Sequence, residues 1–268
     1  MAGYQLGVIG AGNMAEALLR GAIAANVLPH GAVIASDVSA DRRRKIANEL
    51  RITCTDDNLL PAACPRVVLA VKPQVMPAVL DGIAAAVRPE ATVVSIAAGI
   101  RTGWLDERLA GRGRIVRVMP NTPMLVGAGM SALAAGPRAA EEDLQWTESL
   151  LGACGRTVRV TEDQLDAVTA VSGSGPAYFF YLIEAMIDAG VAEGLPHHVA
   201  ATLAAHTCAG AARLLLETHE PPEGLRARVT SPGGTTQRAI ETMDSAGIKA
   251  AIVRAVRAAA HRSRELGR

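Results

Sequence analysis

The sequence predicts a doubly wound, mostly parallel α/β domain over residues 1–161, followed by an all-α domain over residues 162–268. Three observations carry this reading: short apolar runs alternate with helical ones, that alternation stops near Glu162, and alanine-rich helical stretches fill the remainder. Leu6 to Ile9, Ala32 to Ala35, Val67 to Val71, Thr92 to Ile96 and Ile115 to Met119 read as strands. Several are apolar without interruption, the pattern of strands buried on both faces of a parallel sheet. Met14 to Ala25, Ala40 to Leu50 and Met76 to Val87 supply helices between them, and Met130 to Ala135 with Thr157 to Thr161 can extend the sheet at its edge. In the second half, Pro176 suits the first turn of a helix that Gly194 ends, because proline lacks only an amide that has no partner there. Further helices are expected from Pro196 to Thr218, after Gly233-Gly234, and from Ile248 to Leu266.

Composition narrows the function classes. The chain has 268 residues, 50% of them hydrophobic, which suffices for a sizeable core. A formal net charge of +1, 3% aromatic residues and one short basic cluster, Arg42-Arg43-Arg44-Lys45, argue against a nucleic-acid partner. Four scattered cysteines without a Cys-x-x-Cys pair read as reduced, packed thiols of a cytoplasmic protein. The start lacks the basic segment and cleavage site of a signal peptide. Glu184, Asp188, His206 and Arg213 break the most apolar later stretches, so no membrane span is expected. None of the six histidines sits at ligand spacing, and adjacent His197 and His198 suit a helix surface, so no metal site is expected. The later helices are apolar around much of their circumference, and roughly 100 residues of helix are few to cover that surface alone. A homodimer through the C-terminal helices follows.

Gly7-Val-Ile-Gly10-Ala-Gly12-Asn-Met-Ala15 follows the first strand and opens the first helix. Gly10 allows the tight turn, Gly12 lets backbone approach a pyrophosphate, and Ala15 keeps helix and sheet close, which makes the domain one of the Rossmann type. The second strand leads into Ser36-Asp37, where the adenosine ribose is read. Asp37 argues for NAD, whereas Ser36 and Arg42 to Arg44 could accept the 2′-phosphate of NADP or simply form a solvated helix face. Ala70-Val71-Lys72-Pro73 and Ser95-Ile96-Ala97-Ala98 end two further strands at the carboxyl edge, where open α/β sheets bind ligands. Lys72 is one of only three lysines, with Lys45 and Lys249, and suits a surface role equally well.

Val229-Thr-Ser-Pro-Gly-Gly-Thr-Thr-Gln-Arg-Ala-Ile-Glu-Thr-Met-Asp244 builds a second anion cradle. Pro232 fixes one angle, Gly233 and Gly234 permit positive φ, and Thr235 and Thr236 are good N-caps for the periodic run Ala239, Ile240, Met243. The first amides of such a helix can hold a carboxylate or phosphate, although a capped surface helix fits these residues equally.

Together with Val171-Ser-Gly-Ser-Gly-Pro-Ala-Tyr178 and Arg117-Val-Met-Pro-Asn-Thr-Pro123, these motifs make the whole chain resemble the pyrroline-5-carboxylate reductases, most specifically through Val229 to Asp244. The resemblance implies reduction of the cyclic imine L-1-pyrroline-5-carboxylate to L-proline by NADPH or NADH, the last step of proline biosynthesis. It implies that Gly10, Ala11, Gly12, Asn13 and Met14 hold pyrophosphate, that Ser36 and Asn58 contact the adenosine side, and that Ala70, Val71, Lys72 and Pro73 with Ile96, Ala97 and Ala98 line the nicotinamide half; Asp37-Val38 departs from the family's usual basic or neutral polar turn after the second strand. Substrate would rest on Ser231, Gly233, Gly234, Thr235 and Thr236, with the Thr236 hydroxyl at the imine nitrogen. NADP is the implied cofactor, with NAD as the alternative that Asp37 favours. The family forms interlocked helical dimers, often in rings of five, which extends the expected homodimer to a decamer.

Hydride transfer to an imine needs positioning and a protonated nitrogen, not a strong nucleophile or a metal, so the missing catalytic triad is consistent. A threonine hydroxyl is a weak acid, so Thr236 is expected to orient or relay. Two other readings compete. The β-hydroxyacid dehydrogenases share the glycine pattern but use a lysine in the long helix, and Gly175 to Gly194 contains none. A non-catalytic NAD(P) sensor would need the first half but not the cradle.

Overall fold

Alternation of largely apolar strands with helices produces the expected layers in the computed structural model, which describes residues 3–267. The elements of the sheet region are β1 (Leu6–Ile9), α1 (Asn13–Ala24), β2 (Val33–Ser36), α2 (Ala40–Leu50), β3 (Thr53–Thr55), α3 (Leu59–Ala62), β4 (Arg66–Leu69), α4 (Met76–Ile83), β5 (Thr92–Ser95), α5 (Thr102–Arg108), β6 (Arg114–Met119), β7 (Gly129–Ala135), α6 (Glu141–Gly152) and β8 (Gly155–Arg159). One 8-stranded sheet has the order β3-β2-β1-β4-β5-β6-β7-β8. Pairing is parallel throughout except between β6 and β7. Strand order reverses between β1 and β4, which opens a crevice above their carboxyl ends.

The core follows from the two-residue period of a strand. Leu6, Val8, Val68 and Val94 pack into one cluster with Leu18, Leu19 and Leu150, while Ile9, Val67, Leu69 and Val93 pack into the other with Leu80, Ile83 and Leu105. Both faces of the central strands are therefore buried, as their unbroken apolar runs require. Each fully buried Leu, Ile or Val contributes about 1.5–3 kcal/mol. The edge strand β3, Thr-Cys-Thr, has no apolar run to announce it and pairs in parallel with β2.

Two compact units divide the chain, the first comprising Met1–Gly173 with Ala259–Arg268 and the second Ser174–Ala258. The first unit ends in α7 (Leu165–Val168) and a π-helical turn at Thr169–Gly173. Glu162 caps α5, accepting bonds from the Thr102 amide and hydroxyl, both at 2.7 Å, and pairs with the nearly buried Arg117 at 3.2 Å. Burial alone would raise the Glu162 carboxyl, but the Thr102 bonds and the Arg117 guanidinium hold it below the usual range. Buried Asp166 accepts a hydrogen bond of 2.6 Å from Ser263, which joins the end of the chain to this unit. All four cysteines are free, and burial pushes the thiols of Cys54, Cys64 and Cys154 up.

The second unit contains α8 (Gly175–Ala192), α9 (His197–Thr218), α10 (Pro222–Arg228), α11 (Thr235–Ser245) and most of α12 (Ile248–Leu266). Helices α8 and α9 form a hairpin about Gly194, which adopts φ +95°, yet their buried residues are only Gly175, Ala200 and Ala204. Phe179 and Phe180 are each 58% exposed, Tyr181 75% and Leu216 72%. Contrary to the expectation that polar residues break every apolar stretch, α9 is long and apolar enough to cross a membrane by length and composition, with a best-window mean hydropathy of 1.4. His206 and Arg213 do not offset its run of alanines and leucines.

Candidate dinucleotide and substrate sites

The turn from β1 to α1 is built from what its glycines permit. Gly10 has φ +91°, and a Cβ there would meet the Ala70 carbonyl at 2.9 Å, so both conformation and space require glycine. A Cβ on Gly12 would meet nothing within 4 Å, which leaves its face open to an approaching ligand. Gly12 is the N-cap of α1, and the first helical amide to reach a backbone acceptor is that of Glu16, bonded to Gly12 O at 2.9 Å. The preceding amides of Asn13, Met14 and Ala15 thus form an electropositive helix end of the kind that can hold an anion.

The turn after β2 is tied down by charge. Ser36 has no exposed surface, and its hydroxyl donates to Asn58 Oδ1 at 2.6 Å, so it orients the Asn58 amide. The Asp37 carboxylate accepts the Ala11 amide on one oxygen and the Ser39 amide on the other, both at 2.9 Å. Arg42 Nε donates to the Ala11 carbonyl, and its guanidinium pairs with Glu16 at 2.6 Å. Arg43 donates to the carbonyls of Asp37 at 2.8 Å and Val38 at 3.1 Å. Burial would raise the Glu16 carboxyl, but hydrogen bonds from Arg20 and Lys45 and the adjacent Arg42 hold it at about 2. The arginine run therefore divides: Arg42 and Arg43 brace the turn, and Arg44 faces solvent beside Asp41.

The ends of β4 and β5 lie on the other side of β1 from the turn after β2. Ala70 N donates to Ile9 O at 2.8 Å and Ile96 N to Leu69 O at 3.1 Å, which fixes both segments at the carboxyl edge. Val71 is half-buried, Lys72 is exposed at the N-cap of the 3-10 turn Pro73–Val75, Ala97 is buried and Ala98 is exposed. Small residues here leave room for a flat ring.

In the second unit, the cradle differs from its expected form. The N-cap of α11 is Gly234, without a side-chain cap, and Thr235 and Thr236 stand inside the first turn. They do not cap because the Pro232-Gly233 turn, with Gly233 at φ +73°, brings Gly234 rather than a threonine to the extended N-cap position. The Gly233 amide donates to Gln237 Oε1 at 2.7 Å, and the Gly234 amide to Ser231 O at 3.0 Å. The first helical amide with a backbone acceptor is that of Arg238, which leaves the amides of Thr235, Thr236 and Gln237 without an intrahelical acceptor. Ser231 is exposed and Thr236 half-buried.

One contact between motifs was not legible beforehand. Asn121 Nδ2 donates to the Ser172 carbonyl at 3.2 Å and hydroxyl at 3.3 Å, while its Oδ1 accepts the Met130 amide at 2.8 Å. It orders the π-helical turn leading into α8, a local widening common near functional sites. A cavity of about 410 Å³ lined by Arg66, Arg114 and Trp146 lies instead at the amino-terminal strand edge. Among the described residues no group of three His, Cys, Asp or Glu side chains could hold a metal ion.

A parallel sheet with order 3-2-1-4-5-6 and an open glycine turn at its reversal point defines a dinucleotide-binding oxidoreductase fold of the Rossmann class. Residues 162–266 match the family model for pyrroline-5-carboxylate reductase dimerisation, and residues 5–99 that for NADP oxidoreductase, coenzyme F420-dependent. The chain is 44% identical over 264 residues to the pyrroline-5-carboxylate reductase of Pseudomonas aeruginosa, covering 98% of this chain and 96% of the relative. The structure of the pyrroline-5-carboxylate reductase of Coxiella burnetii superimposes with a TM-score of 0.93 at 35% identity, and that of Plasmodium falciparum pyrroline carboxylate reductase with NADP bound with 0.89 at 30%; each alignment covers 100% of both chains. The chain belongs to the pyrroline-5-carboxylate reductase family.

Proposed function

We infer that the protein reduces the C=N bond of L-1-pyrroline-5-carboxylate to L-proline, in the cytoplasm, with NADPH as hydride donor and NADH as the alternative. The observation that carries this is the full-length likeness to reductases of this substrate, 44% identity across 98% of the chain. The sensor reading and the hydroxyacid dehydrogenase reading account for only part of that length.

The residues present fit a dinucleotide: Gly10 leaves no room for a side chain, Gly12 is open, and three helix amides lack backbone partners. When bound, the cofactor supplies the hydride. Gly10, Ala11, Gly12, Asn13 and Met14 hold the pyrophosphate, Ser36 and Asn58 with Asp37 support the adenosine side, and Ala70 to Pro73 with Ile96 to Ala98 flank the nicotinamide. Residues 1–161 act as the cofactor domain and 162–268 as the substrate and dimerisation domain. Ser231, Gly233, Gly234, Thr235 and Thr236 bind substrate, with its carboxylate on the α11 amides. The Thr236 hydroxyl hydrogen-bonds the imine nitrogen, which keeps it protonated as hydride reaches the adjacent carbon. The exposed aromatic and aliphatic residues of α8 and α9 are covered by a second copy, which also accounts for the apolar length of α9.

The test is direct. Purified protein mixed with pyrroline-5-carboxylate should oxidise NADPH or NADH and release proline in equal amount. Cofactor binding without turnover by either would support the sensor reading instead.

A further inference from the structure

An acid at the end of the second strand ordinarily accepts the free ribose hydroxyl and so selects NAD. Asp37 occupies that place, yet both of its oxygens already hold backbone amides, Ala11 and Ser39 at 2.9 Å each. We propose that Asp37 is a positioning residue that locks the glycine turn, and that its charge does not set the choice between NADH and NADPH.

The argument rests on how the peptide units around Ala11 are held. Gly10 at φ +91° has no side chain to fix its conformation, so the turn needs restraint from outside. Ala11 receives it on both sides: its amide points to the Asp37 carboxylate and its carbonyl to the Arg42 guanidinium. Arg42 is in turn fixed by Glu16 at 2.6 Å. Bonds to ionised partners are about twice as strong as neutral ones, so opposite charges on the two ends of one residue make a firm clamp. The Ser39 bond aims the acid, since it joins residues two apart in an Asx-type turn that places the carboxylate toward the glycine turn. Arg43 on the Asp37 and Val38 carbonyls adds positive charge at the same turn, which offsets repulsion of a 2′-phosphate. A clamp of this kind serves the pyrophosphate shared by both cofactors.

This inference rests on the proposed dinucleotide binding, and Asp37→Ser separates the two. Serine can keep the local bond to the Ser39 amide, two residues on, but is too short to reach Ala11. Dissociation constants for NADPH, NADH, ADP-ribose and its 2′-phosphate are measured by calorimetry. Asp37→Ser should weaken all four about tenfold and leave the NADPH to NADH ratio within about twofold, in line with one lost charge-assisted bond. Hydrogen exchange at residues 10–14 of the ligand-free protein should quicken about tenfold with the amides of β1 and β4 unchanged. Asp37→Glu retains the charge but displaces the carboxylate by one methylene, and should weaken both cofactors alike. A ratio that moves tenfold toward NADPH in Asp37→Ser, or an Asp37→Glu variant that keeps tight NADH binding, overturns the lock. A wild-type protein that binds neither nucleotide overturns the proposed function instead, and the exchange measurement then still decides whether Asp37 restrains the turn.

Discussion

The two units bury their apolar residues to very different extents. In β1 the side chains of Leu6, Val8 and Ile9 have no exposed surface, whereas α8 leaves Phe179, Phe180 and Tyr181 more than half exposed. Residues of similar hydrophobicity meet opposite fates because a parallel sheet has helices on both faces, while a helical hairpin covers only one side of each helix. The first unit completes its own core; the second leaves apolar side chains exposed, which the proposed second copy would cover.

The largest test of that contrast is Phe180→Asp. A charge on a surface covered by a partner is expected to cost about 3–5 kcal/mol of association, as for loss of a buried Phe, and to yield monomers in light scattering. An unchanged dimer would place Phe180 outside the contact. Gly10→Ala strikes the self-sufficient unit instead. A positive φ and a Cβ at 2.9 Å from Ala70 O should cost about 1–3 kcal/mol, read as a lower denaturation midpoint together with weaker cofactor binding. Equal stability and affinity would mean that the turn can relax. Thr236→Ala is a smaller change, and in the second unit it should touch only chemistry: turnover falls about tenfold while cofactor affinity holds. A parallel loss of both would make Thr236 structural.

The smallest effect depends on acidity. Glu16 ordinarily titrates near 4.5 and is held at about 2 here, so its pairing stabilises the fold above pH 4.5 and is lost as pH falls toward 2. Glu16→Gln should therefore flatten the stability curve between those values and leave the acid sensitivity of other groups intact. Wild type and variant falling in parallel over that window would remove Glu16 from the acid response.

Legibility in the sequence followed the same division. Unbroken apolar runs gave the strands to within a residue or two, because burial on both faces leaves no polar position to confuse the pattern. Strand β3 escaped because an edge strand is held by backbone pairing, to which Thr53, Cys54 and Thr55 add no periodic signal. The positive φ of Gly10 was readable since it depends on local geometry, although the Ala70 carbonyl that crowds it was not. The bond from the Ala11 amide to Asp37 was not legible, because the two residues lie 26 apart and only the β1–β2 register brings them together. Asn121 and Ser172, 51 residues apart, escaped for the same reason. Thr235 and Thr236 were misread as caps because the preceding Pro-Gly turn shifts the helix start by one residue, a displacement finer than propensity can resolve.

The bond from Ser263 to buried Asp166 has a consequence for the order in which the molecule is made. A ribosome delivers the sheet first and the apolar helices afterwards, yet the partner of Asp166 emerges only with the final turns of α12. The nascent first unit therefore waits for the whole helical segment to be synthesised before its last buried carboxylate is satisfied.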